Sequence, residues 1–188
     1  MAETNRIAEI RNEATVTFSL AELDPEDPRW NKRGALYVPA GEGPTVWAVG
    51  DTYTIKATGD QTNGGFGFIE ATVPPGGGTS PHAHGDEEET FYILDGELEF
   101  LDGDHIFTAR TGDFIHVPRG TRHRFKNKSH HAARMIFMFT PPGAEKFIRD
   151  YSVPARPGEP APPISEADAE RAQEAIRRIN MAVLPEPS

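Results

Sequence analysis

Short apolar runs, each four to eight residues long, recur between Ala35 and Thr140 and are separated by glycine, aspartate, asparagine or proline. The runs at 35–38, 45–49, 52–57, 66–73, 90–94, 97–101, 105–109, 114–117, 123–127 and 134–139 are rich in valine, isoleucine, threonine and aromatics. Such segments favour strands, and their even spacing predicts an all-β sandwich or barrel. Asp95-Gly96 and Asp102-Gly103 are turn signals, strongest when they join antiparallel strands. They predict that 97–101 is one strand of a meander. Ahead of this region, residues 1–34 read as a peripheral arm with one strand or staple at 15–20 and a proline-interrupted acidic turn around Asp24 to Pro28. Residues 35–153 are the expected barrel, and 154–188 the expected proline-rich linker and terminal helix. That helix begins near Ser165, where Ser-x-x-Asp resembles a capping box, and Ala172, Ala175, Ile176, Ile179 and Ala182 form a narrow apolar stripe.

Composition sharpens this picture. At 188 residues the chain suffices for one well-buried core, and 18 glycines with 17 prolines suit strands and turns better than a helical bundle. The formal charge of -10 disfavours phosphate backbones and anionic lipid, so neither nucleic acid nor membrane is the expected partner; a small molecule is. There is no cysteine, so any metal must be held by nitrogen and oxygen. Scattered charges in the first twenty residues fit no secretory signal, which makes the cytoplasm the expected location.

In a strand, His82 and His84 of Pro-His-Ala-His point to the same face and can converge on one ion. Taken alone, such a pair is more readily read as two solvent-facing imidazoles. Its surroundings decide. Residues 76–96 read Gly-x5-His-x-His-x4-Glu-x6-Gly, and residues 112–127 read Gly-x5-Pro-x-Gly-x2-His-x3-Asn. These strings match the two motifs of the cupin superfamily at Gly76, His82, His84, Glu89, Gly96, Gly112, Pro118, Gly120, His123 and Asn127. The resemblance implies a jelly-roll β-barrel, or double-stranded β-helix, with His82, His84, Glu89 and His123 as metal ligands. Glu89 follows His84 by an odd offset, so the chain must turn between them, and Gly85-Asp86 suits that turn. Glu87 and Glu88 are competing carboxylates; the family spacing selects Glu89, with Glu88 as the fallback. Three imidazoles and a carboxylate suit one divalent transition metal: Fe, Mn, Co, Ni or Zn.

Gly59-Asp-Gln-Thr-Asn63, Phe66-Gly-Phe68, Phe91-Tyr-Ile93 and the Pro-Pro-Gly143 exit before Phe147 are similar to bacterial quercetin 2,3-dioxygenase-type monocupins. That likeness implies ring cleavage of a flavonol or other enolisable hydroxy-ketone by dioxygen, with Glu89 as the catalytic base and, for flavonols, release of carbon monoxide. Phe91 and Phe125, each two residues beyond a ligand, together with Phe66 and Phe68, are the expected substrate contacts. The alternatives are a non-redox cyclase or isomerase of a polyketide- or sugar-like enol, and a ligand-binding module without turnover. His105, His130 and His131 read as exposed, and His116 as a strand-surface residue. Apolar residues on both faces of 134–139 predict that the outer face is covered, and the resemblance to cupins implies that a second copy covers it in a homodimer.

Overall fold

Strict alternation of buried and half-buried positions runs through β2 (Asp51–Ala57) and β3 (Gly67–Val73), and β10 (Ala133–Thr140) alternates in the same way. One face of each strand therefore builds a core while the other meets water or a further layer. The computed structural model describes residues 24–31, 33–163, 165–176 and 178–187. The remaining strands are β1 (Thr45–Ala48), β4 (His82–His84), β5 (Glu88–Asp95), β6 (Glu97–Asp102), β7 (His105–Arg110), β8 (Phe114–Val117), β9 (His123–Lys126), β11 (Val153–Pro154) and β12 (Met181–Val183). Two α-helices among the described residues, α1 (Ala144–Tyr151) and α2 (Glu166–Ile176), lie late in the chain. Among the described residues, no helix is long and apolar enough to cross a membrane.

Two antiparallel sheets result, in the orders β11-β1-β2-β3-β10-β5-β8 and β12-β4-β9-β6-β7. Their inward faces share one cluster containing Ile55, Ile69, Phe91, Phe100, Phe125 and Phe137. This is the double-sheeted jelly roll, an arrangement that buries both inner faces at once.

Contacts divide the chain into residues 1–36 and 37–188. In the first unit, a turn after Asp24 leads into a 3₁₀ turn at Pro28–Asn31, where Trp30 Nε1 donates to the Asp24 carbonyl at 2.9 Å. The strand or staple expected at 15–20 lies outside the described residues. No strand forms at 35–38, and Tyr37 is 82 % exposed.

The expected meander is corrected at Asp95-Gly96. Asp102-Gly103 does close a β6–β7 hairpin, with Asp102 opposite His105. Asp95-Gly96, however, carries the chain from one sheet to the other, because β5 pairs with β10 and β8 while β6 pairs with β7 and β9. Gly96 has φ 79°, and a Cβ there would lie 3.1 Å from Ala133 Cα. The same left-handed glycine that closes a hairpin here turns a corner in tight quarters.

The C-terminal segment contributes more than a linker and a helix. Ser165 and Asp168 exchange the hydrogen bonds of a capping box, Asp168 N–H to Ser165 Oγ and Ser165 N–H to Asp168 Oδ2, each at 3.1 Å. Beyond α2, β12 adds to the edge of β4, placing Met181 opposite His84 and Val183 opposite His82. Leu184 N–H donates to the Pro81 carbonyl, Gly85 N–H to the Asn180 carbonyl, and Asn180 Nδ2 to Asp86 Oδ1. Glu186 then accepts from Arg124 Nε at 3.0 Å and Lys126 Nζ at 2.6 Å. The tail thus straps the strand that carries two of the candidate ligands.

Candidate metal centre and its cavity

His82, His84, Glu89 and His123 meet, with one ligand atom from each lying within 4.8 Å of all the others. β4 supplies the first two, and a bend at Gly85-Asp86 lets the chain re-enter as β5 with Glu89 turned inward. His123 opens β9 and stands opposite His82 in register. The motif asparagine holds this frame: buried Asn127 donates through Nδ2 to the carbonyls of Val73 and His131 at 2.8 and 2.7 Å. Gly78 belongs to the same frame, because a Cβ there would sit 2.3 Å from the Phe125 carbonyl oxygen.

Backbone carbonyls orient two of the rings. His82 Nδ1 donates to the Ser80 carbonyl at 2.8 Å, and His123 Nδ1 donates to the Thr121 carbonyl at 2.9 Å. A carbonyl can only accept, so each ring carries a proton on Nδ1 and turns Nε2 toward the centre. His123 Nε2 and His84 Nε2 both approach Glu89 Oε2, at 2.9 and 3.4 Å. His84 Nδ1 has the Glu87 carboxylate 3.7 Å away.

Electrostatics follow from burial and this crowding. Burial, reinforced by the neighbouring imidazoles, lowers the His82 pKa to about 4. For His84 burial acts in the same direction, but Glu87 and Glu89 outweigh it and raise the pKa to about 9. Burial would raise Glu89; the imidazoles of His123 and His84 overcome it and hold the carboxyl at about 2. Two ring nitrogens converging on one buried carboxylate oxygen, walled by Phe91, Phe125 and Phe139, are a donor set that a divalent cation fits.

The centre opens into a cavity of about 390 Å³ lined largely by apolar groups, among them Phe125, Phe137, Phe139, Phe147, Ile148 and Ile176. Both α1 and α2 contribute to its wall. Of the expected substrate contacts, Phe125 lines this space. Phe91 is 1 % exposed and packs behind the ligands, its ring centroid 6.3 Å from that of His123. Phe66 and Phe68 are placed elsewhere. Phe66 is 37 % exposed at the end of a turn, and Phe68 is an outward position of β3 opposite Met138, because strand alternation sends it away from the core. Glu88 also faces outward, beside His116 and Arg119 at 3.7 and 3.8 Å. His105, His116, His130 and His131 are exposed.

Sequence reasoning missed Tyr53, Phe137 and Phe139, as well as the contributions of α1 and α2 to the cavity wall. The first three were within reach, since each is an inward position of an alternating strand. The helices gave no comparable signal, because a short apolar stripe does not say which surface it covers.

A double-stranded β-helix enclosing a three-histidine, one-glutamate cluster defines the class of protein. A cupin-domain family model matches residues 69–139, 71 of the 188 residues. It is 32% identical over 116 residues to quercetin 2,3-dioxygenase of Bacillus subtilis, covering 61% of this chain and 34% of that protein. It is 37% identical over 95 residues to polyketide synthase CurC of Streptomyces cyaneus, covering 49% and 60%. Tetracenomycin polyketide synthase protein TcmJ of Streptomyces glaucescens is 31% identical over 81 residues, covering 43% and 52%. The chain thus spans between about a third and three fifths of the length of these relatives. Among solved structures, a predicted oxalate decarboxylase from Thermotoga maritima is similar with TM-score 0.52 at 21% identity, covering 55% of this chain and 96% of that one. An RmlC-like cupin from Shewanella frigidimarina has TM-score 0.51 at 19% identity, covering 60% and 96%. These two share the fold.

Proposed function

We propose that this cupin is a metal-dependent dioxygenase that cleaves a flavonol-like or other enolisable hydroxy-ketone. The observation that carries the reading is the junction of the His82, His84, Glu89 and His123 cluster with an aromatic-lined cavity of about 390 Å³. A flat, hydroxylated aromatic ligand suits walls of this kind. The likeness to a quercetin 2,3-dioxygenase supports the same choice. The four side chains would hold a divalent cation, which would supply Lewis acidity to a ligand oxygen.

The chain's own residues do the rest. The carbonyls of Ser80 and Thr121 fix the rings of His82 and His123, so that the donor geometry exists before a ligand arrives. Glu89, which is buried and lines the cavity, takes the ligand proton in this reading. Phe125, Phe137 and Phe139 exclude water from the exposed carbon skeleton. Oxygen-electrode assays with a flavonol panel, run with each candidate ion restored, test the proposal. Consumption of one dioxygen per flavonol lost is the expected result, and flavonol loss without oxygen uptake overturns it.

The polyketide synthase relatives favour a second reading, a non-redox cyclase or isomerase acting on a polyketide-like enol. Product formed under strict exclusion of oxygen would select it.

A homodimer is part of the proposal. The outer face of the larger sheet places Tyr92 between Ile136 and Phe114 in register, with Met138 opposite Phe68 in the next row. Phe114 is 66 % and Tyr92 44 % exposed. A contiguous apolar strip of this kind is what a second copy would cover.

A further inference from the structure

The inner wall of the cavity carries a second acid–base group that the cluster does not use. Tyr53, an inward position of β2, is 3 % exposed and lines the cavity, with its ring edge against Phe137 at 5.3 Å. Its hydroxyl donates to Asp51 Oδ2 at 3.1 Å. Asp51 is fully buried, and its second oxygen has no well-formed hydrogen bond among the described residues. That carboxyl rests on the glycine run 76–78: a Cβ on Gly77 would lie 2.4 Å from Asp51 Oδ1, and the Gly78 backbone offers it a polar contact.

A buried carboxyl with no cation beside it among the described residues is expensive to ionise, and one whose partner is a phenol reaching a ligand cavity invites a chemical explanation. The phenol also feels the charge of Glu89, so it lies in the electrostatic field of both carboxyls. We propose that Tyr53 and Asp51 form a proton relay serving the cavity, in which the Tyr53 hydroxyl contacts a ligand hydroxyl and Asp51 stores the proton. The inference rests on the reading of this cavity as the site of a hydroxylated ligand.

The step balances without a further reactant. The ligand O–H bond breaks, Tyr53 Oη gains that proton and passes its own to Asp51 Oδ2. The ligand is left with a negative charge, Asp51 becomes the neutral acid, and the phenol is unchanged. Return of the proton reverses each transfer. The two ionisation preferences suit these roles. Burial first, then the charge of Asp51, push the phenol well above its usual value of 10.0, so Tyr53 conducts a proton and does not lose one permanently. Burial raises Asp51 from 3.8 to about 7 against the opposing hydrogen bond from Tyr53, and an acid that titrates near neutrality can both take and return a proton. Asp51 and Tyr53 thus add a second proton station to a cavity where Glu89 is held in the cluster.

Two measurements test the relay. In the first, zinc-loaded full-length protein, Tyr53→Phe and Asp51→Asn are each titrated with 3-hydroxyflavone, and the absorbance of the ionised ligand is followed against pH. Ionisation in Tyr53→Phe, where the ligand oxyanion loses its hydroxyl donor, should require a pH higher by about one unit, a tenfold change, with the binding of the ionised form little altered, whereas Asp51→Asn removes a neighbouring negative charge and should not raise it. Identical ionisation profiles in the wild type and Tyr53→Phe would show that the metal centre suffices and overturn the relay. A purely structural role for the pair would weaken binding at every pH without moving the midpoint. The second measurement needs no ligand: carbon NMR titration of the Asp51 carboxyl in the wild type and in Tyr53→Phe. A midpoint near 7 that rises when the phenol hydroxyl is removed supports the pair. A midpoint in the ordinary carboxylate range, about 3.9, overturns it. Failure of the wild-type protein to bind 3-hydroxyflavone removes the flavonol reading, and the carboxyl titration then decides the relay alone.

Discussion

His123 Nε2 lies 2.9 Å from Glu89 Oε2 although the two residues belong to different sheets, on β9 and β5, which share no backbone pairing. The contact exists only when the two inner faces are closed on each other. Retention of an ion at this site therefore reports on the barrel as well as on the ligands. Replacing His123 or Glu89 with alanine should weaken zinc binding by more than about 100-fold, while Glu87→Gln, which alters only the group beside His84 Nδ1, should cost about tenfold. Chelator competition followed by metal analysis measures both. Stoichiometric zinc in the His123→Ala protein would remove the site from consideration.

The metal cluster was the most legible feature of the chain because its information is local: two histidines two residues apart on one strand, a turn, then an inward carboxylate. His123 was legible only through its motif, since nothing in periodicity says that β9 pairs with β4 in the smaller sheet. Tyr53 was visible in the alternation of β2, yet its chemistry depends on Asp51 and on a glycine run that pack against each other only in the fold. Met181–Val183 was unreadable as a strand at three residues, because its pairing with β4 is decided by tertiary contacts. Asp95-Gly96 shows the opposite case, a strong local signal whose global use differs. The glycine sets the backbone angle, and the core decides whether the chain folds back or crosses over.

Ending the chain at Ile179 should expose the edge of β4 and free both Arg124 and Lys126 from Glu186. His82 and His84 would then be carried by a strand paired only through β9. Loss of zinc affinity together with a lower melting temperature is the expected outcome, read by calorimetry. Glu186→Ala should do far less, under about 1 kcal/mol, because its carboxylate is partly solvated and Arg124 keeps Glu99 at 3.0 Å. If the truncated chain bound zinc as well as the full one, the strap would have no part in holding the site.

Phe91 contacts Phe100, Phe125 and Phe137 and backs His123, with ring centroids 5.1 to 6.3 Å apart. Phe91→Ala should cost about 3–5 kcal/mol in urea unfolding, since the surrounding rings cannot collapse fully into the space. A loss below about 1 kcal/mol would mean that this part of the core is loosely packed.

Phe114→Glu combined with Tyr92→Glu places two charges on the exposed strip of the larger sheet. Both side chains point out of the core, so folding stability of the monomer should change by less than about 0.5 kcal/mol each. Association should be lost, and sedimentation of wild type and variant at matched concentration separates the two effects. A wild type that sediments as a monomer at every concentration rules out the proposed dimer.

Asp51 should give the protein a pH-dependent stability of unusual sign for a carboxylate. Its pKa is raised by burial from 3.8 in the open chain to about 7 in the folded one. Between those values the folded state holds a proton that the unfolded state has released, so stability falls as pH rises through this window. The penalty is absent below the lower value and complete above the upper one, on the order of 4 kcal/mol. The amide side chain of the variant Asp51→Asn keeps the shape and an acceptor for the Tyr53 hydroxyl but cannot ionise. The difference in unfolding free energy between variant and wild type, measured in urea on the metal-free chain, should therefore turn in favour of the variant between about pH 5 and pH 8. Parallel stability curves for the two proteins across that range would mean that Asp51 is ionised, and satisfied, in the fold.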